Sequence, residues 1–121
     1  MENAQNIEIF KEIKGYPDYQ ISTQGRVWSI RKQKYMKPHK NNSGYLQITI
    51  TAINGKQKKE LIHRLVAIAF IDNPNNYPQV HHINHNPQDN RVENLQWVTG
   101  KQNCRDTKAI KRLVNLIKTE T

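Results

Sequence analysis

The sequence predicts an α+β fold in which a β-rich N-terminal hairpin unit precedes a strand–loop–strand–helix unit and a C-terminal amphipathic helix. Alternating apolar and polar residues indicate strands up to about residue 60, and two short apolar strands flank a polar loop between residues 80 and 98. An apolar stripe at helical spacing follows near the C-terminus. With 121 residues, of which 36% are hydrophobic, the chain can form one domain or two very small units that share a core.

The first predicted unit covers residues 1–60 and begins with a hairpin. Residues 20–22 and 26–30 are predicted to form its strands, joined by a turn at Thr23–Gly25. Alternation places Val27 on one face of the second strand and its neighbours Arg26 and Trp28 on the other. A basic segment from residue 31 to residue 40 follows this hairpin.

A second hairpin completes the first unit. Residues 45–51 alternate cleanly and are rich in residues that favour strands. The dipeptide Asn54-Gly55 is favoured in tight hairpin turns, and residues 56–62 would return as the partner strand.

The second predicted unit covers residues 61–107. The apolar residues of His63–Phe70 have the spacing of a short buried helix. Short strands are predicted at Val80–Ile83 and Leu95–Val98, on either side of the polar loop at residues 84–94.

The predicted final helix begins at Thr99. Gln102, three residues further on, completes a capping box with this threonine. A C-terminal helical segment, residues 108–121, carries one apolar stripe formed by Ile110, Leu113, Val114 and Ile117. This stripe could pack on the same chain or on a second copy.

Net charge points to a polyanionic partner. Lysine and arginine number 19 against 10 acidic residues, so the formal net charge is +9 and the pI is about 9.8. Nucleic acid is the usual partner of such a surface, and a generic basic protein such as a ribosome-associated factor or membrane-surface binder is the alternative. We expect a cytoplasmic protein with no membrane contact, because the chain has no long apolar run and its N-terminus lacks a signal peptide. The single cysteine, Cys104, excludes an internal disulfide and a four-cysteine zinc site.

Four polar residues of the second unit have the spacing of a hydrolytic site. His81 and His82 lie on its first strand, Asn94 precedes the second strand, and Asn103 lies in the first turns of the final helix. Packing of these elements would bring the two imidazoles and the Asn103 amide around one small volume. Phosphodiester hydrolysis needs a base that takes a proton from water and a cation that offsets charge on the phosphate and the leaving oxygen. Imidazole suits the first task, and imidazole nitrogen and amide oxygen can bind a divalent metal for the second.

The same segment resembles the HNH endonucleases, and more narrowly their phage and intron-encoded homing-type group, which has a ββα-metal fold. The resemblance keeps the spacing of that group from residue 63 to residue 103. It is carried by residues 63–70 (HRLVAIAF), Asn73-Pro74, residues 81–86 (HHINHN), residues 89–99 (DNRVENLQWVT) and Asn103.

This resemblance implies a role for each motif position. His82 matches the general base, Asn103 matches a metal ligand, and Asn94 matches the asparagine that orients the loop of the base. His81 stands where the group usually has aspartate or asparagine as the other metal ligand. One divalent ion is therefore expected, Mg²⁺ or Mn²⁺, with Ni²⁺ or Zn²⁺ also possible because a His/Asn site is softer than an Asp/Asn site.

Residues 15–29 resemble a small modular motif that often precedes HNH domains in homing-type nucleases. The resemblance implies DNA contact through a hairpin or sheet, and the mixture of cations with an aromatic residue is suited to phosphates and a groove. The residues expected to contact DNA are Arg26, Trp28, Arg31, Lys32, Lys34, Lys37, Arg64 and Arg91.

The predicted function is divalent-metal-dependent hydrolysis of DNA, with one strand nicked by a monomer or both strands cut by a homodimer. The protein is expected to be encoded by a phage or mobile element and to act inside the host cell. Two alternatives stay open: a DNA-binding protein that does not cut, and a closed structural zinc site. The zinc site would be formed by His81, His82, His85 and Cys104.

Several nearby residues are expected to have structural roles only. His63 is predicted to cap or pack at the start of its helix, and His85 to be an exposed loop residue. Asn90 is predicted to be a turn residue, and Trp97 to pack in the core.

Overall fold

The computed structural model describes residues 7–99, which form nine strands, one α-helix and one 3₁₀ turn. The α+β class is therefore confirmed. The predicted helices after Thr99, with Asn103, Cys104 and the apolar stripe, lie outside the described residues. In chain order, the elements are β1 (Phe10–Ile13), β2 (Tyr16–Ser22), β3 (Val27–Ser29), β4 (Lys34–Tyr35), β5 (His39–Lys40), β6 (Leu46–Thr51), β7 (Gln57–Leu61), α1 (Ile62–Phe70), β8 (Gln79–His82), the 3₁₀ turn (Val92–Asn94) and β9 (Leu95–Val98).

The first sheet is antiparallel, with strand order β1-β2-β3-β4. The predicted first hairpin is its centre, where Ile21 pairs with Val27 and Gln20 pairs with Trp28. Val27 is buried and Trp28 lies on the other, half-exposed face, as the alternation predicted. Arg26 differs slightly from the prediction, because β3 starts one residue after it.

The second sheet, β5-β6-β7, contains the predicted second hairpin with a longer turn than expected. The Ala52 amide donates to the Lys56 carbonyl at 2.8 Å, and the Gly55 amide donates to the Ala52 carbonyl at 2.9 Å. Ile53–Gly55 therefore forms a three-residue loop, with Gly55 in the left-handed region at φ +85°. An Asn-Gly pair is compatible with this loop as well as with the two-residue turn, because both turns need a residue with positive φ.

Helix α1 follows β7 directly, without a linker. It begins one residue before the predicted start, and the preceding Leu61 provides no side-chain cap. The stripe Ile62, Leu65 and Val66 is buried, whereas Ile68 on the other face is 57% exposed. No helix within residues 7–99 is both long and apolar enough to cross a membrane.

A single cluster of buried side chains joins the three sheets. The third sheet is the pair β8-β9, in which His82 lies opposite Leu95 and Val80 lies opposite Trp97. Helix α1 contacts strands of all three sheets, so the segments before and after residue 60 share a core. The buried cluster contains Ile13, Tyr16, Tyr19, Ile21, Val27, Ile48, Ile50, Ile62, Leu65, Val66, Ala67, Val80 and Leu95.

Truncating a fully buried core side chain should test this shared core. Ile21 is 0% exposed, so Ile21→Ala should lower the free energy of unfolding. The expected loss is about 2–5 kcal/mol, measured by urea denaturation. Ile53→Ala is the matched control, because Ile53 is 80% exposed. A loss for Ile21→Ala no larger than the loss for Ile53→Ala would contradict the packing described here.

Candidate active site

The two strand histidines, His81 and His82, line a cleft at the edge of the third sheet. Both residues are buried, with exposures of 8% and 6%. The loop after β8 contributes His85 and Pro87 to the cleft, and the turn before β6 contributes Ser43 and Tyr45. The cleft is therefore built from both predicted units and not from the histidine strand alone.

A side-chain hydrogen bond holds the His82 ring from one side. Its Nε2 atom lies 2.7 Å from Oδ1 of Asn90, and Asn90 is only 4% exposed. An amide oxygen can only accept a hydrogen bond, so Nε2 carries the hydrogen. In the neutral ring, the lone pair is then on Nδ1. Asn90 thus selects the tautomer of His82.

Two other rings pack against His82. The Tyr45 ring stacks on it at 5.8 Å between centroids, with an interplanar angle of 25°. The His63 ring meets it edge-on at 4.8 Å and also contacts Tyr45 at 5.0 Å. His63 therefore packs at the start of α1, as predicted, and it does so against the motif histidine.

The surroundings of these two histidines favour their neutral forms. Burial lowers the pKa of His82, while the Asn90 hydrogen bond and the nearby Asp89 carboxylate act in the opposite direction. Burial, with smaller contributions from His82 and Arg64, lowers the pKa of His63 to about 4. The Nδ1 atom of His63 is buried and has no hydrogen-bond partner among the described residues.

Asn94 fixes the backbone of the polar loop. Its Oδ1 accepts from the Asn84 amide at 3.0 Å, and its Nδ2 donates to Oδ1 of Asn84 at 3.0 Å and to the Asp89 carbonyl at 2.8 Å. The Asn94 carbonyl also accepts from the Ile83 amide at 2.8 Å. The His82 ring, in contrast, donates its hydrogen bond to Asn90, which was predicted to be a turn residue.

Of the two predicted metal ligands, His81 lies within the described residues and Asn103 lies outside them. It pairs with Gln96 across β8-β9, and its ring lies 5.4 Å from the His85 ring. Within residues 7–99, no three His, Cys, Asp or Glu side chains are grouped so that they could hold a metal ion. His81, His82 and His85 therefore do not form three ligands of a closed zinc site. An imidazole at the cleft fits an open divalent-metal site, which keeps positions for water and substrate.

Four of the basic residues predicted to contact DNA are available for that contact. Arg31, Lys32, Lys34 and Lys37 are exposed, and none forms an ion pair within the described part of the chain. Trp28 packs edge-on against Tyr35 at 4.9 Å on the outer face of the first sheet. The segment from residue 31 to residue 37 thus presents uncompensated positive charge beside an aromatic surface.

The three other arginines predicted to contact DNA have intramolecular partners. The Arg26 guanidinium binds both carboxylate oxygens of Glu8, with Nε at 2.9 Å from Oε2, and lies over the Tyr35 ring. Arg64 donates to the Pro78 carbonyl at 2.7 Å and lies over the Trp97 ring.

Arg91 bridges two carboxylates. It contacts Asp89 through Nε at 2.8 Å and Glu93 through Nη1 at 3.0 Å. Phosphate contact by Arg91 would have to compete with these ion pairs.

Sequence reasoning missed three residues of this site: Tyr45, His63 and Asn90. His63 and Asn90 lie within the segment that resembles HNH endonucleases, so their positions were visible but their contact with His82 was not. Tyr45 is outside that segment and follows a Gly44 turn, with no chemical signal of its own.

Trp97, which was predicted to pack in the core, is half-buried at its edge. Its Nε1 donates to the Ile71 carbonyl at 3.0 Å.

Comparisons with known proteins agree with the fold and with the family resemblance. The HNH endonuclease family model matches residues 60–105, and the NUMOD4 motif matches residues 8–51. The chain is 50% identical over 86 residues to the uncharacterised HNH endonuclease L245 of Acanthamoeba polyphaga mimivirus, a match covering 71% of this chain and 26% of that protein. It is 40% identical over 95 residues to the DNA endonuclease I-HmuI of Bacillus phage SP01, covering 78% of this chain and 54% of that one.

Comparison with solved structures also finds an HNH endonuclease. The chain superposes on a structure described as DNA binding and cleavage by the HNH homing endonuclease I-HmuI, with a TM-score of 0.73 and 32% identity. This match covers 91% of the present chain and 68% of that chain. The protein therefore belongs to the HNH endonuclease family, and the resemblance found in its sequence is confirmed. It spans only about a quarter to a half of the lengths of the curated relatives named above.

The buried His63 predicts a loss of stability in acid. Its pKa is about 4 in the folded protein, below its ordinary value of 6.5, so unfolded chains bind a proton that folded chains do not. Stability is therefore lost as the pH falls from 6.5 towards 4. Between pH 7 and pH 5, His63 should account for a loss of about 2 kcal/mol.

The measurement is chemical denaturation of the wild type and His63→Phe at both pH values. Phenylalanine keeps a ring in this position but cannot bind a proton, so the variant should lose about 2 kcal/mol less across the interval. His39→Gln is the control, because His39 is exposed on β5. If the free energy of unfolding has the same pH dependence in the wild type and in His63→Phe, the interpretation of His63 as a neutral buried imidazole is wrong.

Proposed function

We propose that this protein is a divalent-metal-dependent DNA endonuclease in which His82 is the general base. The observation that carries the proposal is the hydrogen bond from His82 Nε2 to Asn90 Oδ1, because it leaves the basic lone pair on Nδ1 in a buried ring that lines the cleft. The lowered pKa of His82 keeps this nitrogen unprotonated at neutral pH. A base prepared in this way can accept a proton from water.

In the proposed reaction, water attacks the phosphorus of a DNA phosphodiester while His82 Nδ1 takes the water proton. The bond from phosphorus to the 3′ oxygen breaks and this oxygen takes a proton from solvent, so the products are a 5′-phosphate and a 3′-hydroxyl; His82 then releases its proton to solvent. Tyr45 stacks on the imidazole and His63 packs edge-on against it, so the ring need not reorganise during the transfer. Asn94 keeps the loop backbone that carries Asn90 in place.

His81 and Asn103 are the proposed metal ligands, of which His81 is in the described part of the site. A divalent ion bound there would offset negative charge on the phosphate and on the leaving oxygen. His81 would supply one imidazole nitrogen to the metal, and its neighbour on β8, His82, would act as the base. Mg²⁺ and Mn²⁺ are the first ions to test, and Ni²⁺ and Zn²⁺ follow because of the imidazole ligand.

DNA is the proposed substrate for two reasons. The matched structure of I-HmuI is described as DNA binding and cleavage, and that chain shares 32% identity with this one. The exposed cations between residues 31 and 37 provide a surface for backbone phosphates.

Because the relatives come from phages and a virus, we infer that the protein acts on DNA inside a host cell. An active site of this kind cuts one strand at a time, so a monomer would nick.

Incubation of supercoiled plasmid with the protein across a metal series tests the proposal. Nicked circles should form with Mg²⁺ or Mn²⁺, and chelation of the metal should stop their formation. His82→Ala should reduce nicking by about a hundredfold to ten-thousandfold, since it removes the base, while DNA affinity stays unchanged. His39→Ala is the matched control, because it removes an exposed histidine outside the cleft.

Two outcomes would contradict this assignment. Normal nicking by His82→Ala would mean that another group is the base. Retained DNA binding without nicking in any metal would support a protein that binds DNA without cutting it.

The basic segment gives a separate prediction about affinity. Replacing both Lys32 and Lys34 by alanine should reduce the slope of log affinity against log salt concentration by about 2, since each lost phosphate contact removes about one counterion. Filter binding from low to moderate salt measures this slope. The double variant of Lys56 and Lys58, which are exposed on the β6–β7 hairpin, removes the same charge elsewhere. Equal reductions in the two double variants would show that net charge, and not this segment, determines the binding.

A further inference from the structure

The turn between β2 and β3 lies directly against the loop that holds His82. The Val92 amide donates a hydrogen bond to the Thr23 carbonyl at 2.8 Å, which joins the two segments. A Cβ atom placed on Gly25 would be 3.0 Å from Cβ of Asn90 and 3.2 Å from its carbonyl oxygen. The backbone of Gly25 therefore packs on Asn90 with no room for a side chain between them.

This turn is held firmly on its own side. The buried Ser22 accepts hydrogen bonds through Oγ from the Gln24 amide at 3.1 Å and the Arg26 amide at 3.0 Å. Its carbonyl accepts from the Gly25 amide at 3.0 Å. If a side chain were added at Gly25, the crowding would fall on Asn90, because the turn has three hydrogen bonds that resist movement.

The Asn90 side chain connects the contact at Gly25 to the proposed base, His82. Cβ of Asn90 faces Gly25, and Oδ1 of the same side chain binds Nε2 of His82 at 2.7 Å. A shift of Cβ by a few tenths of an ångström moves the amide oxygen as well. This hydrogen bond is at the short end of the N–H···O range, and it weakens as the oxygen moves away from the line of the N–H bond.

We propose that Gly25 is a positioning residue for catalysis: the β2–β3 turn sets Asn90, and Asn90 sets the tautomer and plane of His82. The proposal rests on the proposed function only where it assigns His82 as the base. It gives the N-terminal segment a part in the active site in addition to any contact with DNA.

The variant Gly25→Ala tests this link in the full chain, with Gly55→Ala as the matched control. Both glycines have positive φ, at +84° and +85°, so alanine is strained equally at the two positions. At Gly55, however, an added Cβ meets no atom within 4 Å. Both variants should lose thermal stability through the positive φ, Gly25→Ala should lose more because of the added crowding, and only Gly25→Ala should displace Asn90.

Two readouts are expected to separate the variants. Under saturating DNA and metal, the nicking rate of Gly25→Ala should fall between about tenfold and a hundredfold with unchanged DNA affinity, while Gly55→Ala keeps the wild-type rate. In ¹⁵N-histidine spectra without DNA or metal, wild type and Gly55→Ala should show the Nε2–H tautomer of His82. Gly25→Ala should show a mixture of tautomers, and the spectrum of His82→Gln identifies the signals.

The proposal is overturned if Gly25→Ala and Gly55→Ala give the same His82 spectrum, whatever their nicking rates. It is also overturned if their rates are equal in a nicking-competent protein. If the wild type does not nick in any metal, the proposed function fails, and the spectra still decide whether Gly25 positions His82. Should Gly25→Ala not fold, Gly25→Asn against Gly55→Asn replaces the pair, since asparagine accepts positive φ more readily than alanine.

Discussion

The buried stripe of α1 is the contact on which the arrangement of the three sheets depends. Ile62, Leu65 and Val66 reach into one cluster with side chains from every sheet. A chain with 36% hydrophobic residues has too few apolar side chains to give each small sheet a core of its own, so sharing one core is the way to remove them from water. Because β7 runs straight into α1, the N-terminal strands and the histidine strand are packed as one body.

The polar loop between β8 and β9 is held by a different kind of interaction. Its backbone is pinned by Asn94, and the guanidinium of Arg91 lowers the pKa of Asp89 to about 2, so that this ion pair persists into acid solution. Because hydrogen bonds fix the loop backbone, the Asn90 side chain is held within hydrogen-bond distance of His82. The two asparagines therefore have separate tasks: one orders the backbone, and the other orients the ring.

Local patterns predicted most of the strands and α1 because alternation and helical spacing are recorded in neighbouring residues. The predictions failed where two local structures suit the same residues, as in the Ile53–Gly55 loop. They also said nothing of how strands would divide among three sheets. The role of Asn90 was misjudged for a similar reason: an Asp-Asn pair in a polar loop favours a turn, and that propensity hides a side chain that points inward.

By itself, the sequence determined the family, the placing of His81 and His82 on a short strand, and the basic surface, because a spaced motif and a net charge are properties of the chain in order. Only the tertiary structure decided which groups surround His82. Tyr45, His63, Asn90 and the Gly25 turn come from four separate segments, and their meeting depends on how the sheets pack around α1. Local periodicity contains no information on that packing, which is why the orientation of the histidine could be found only in three dimensions.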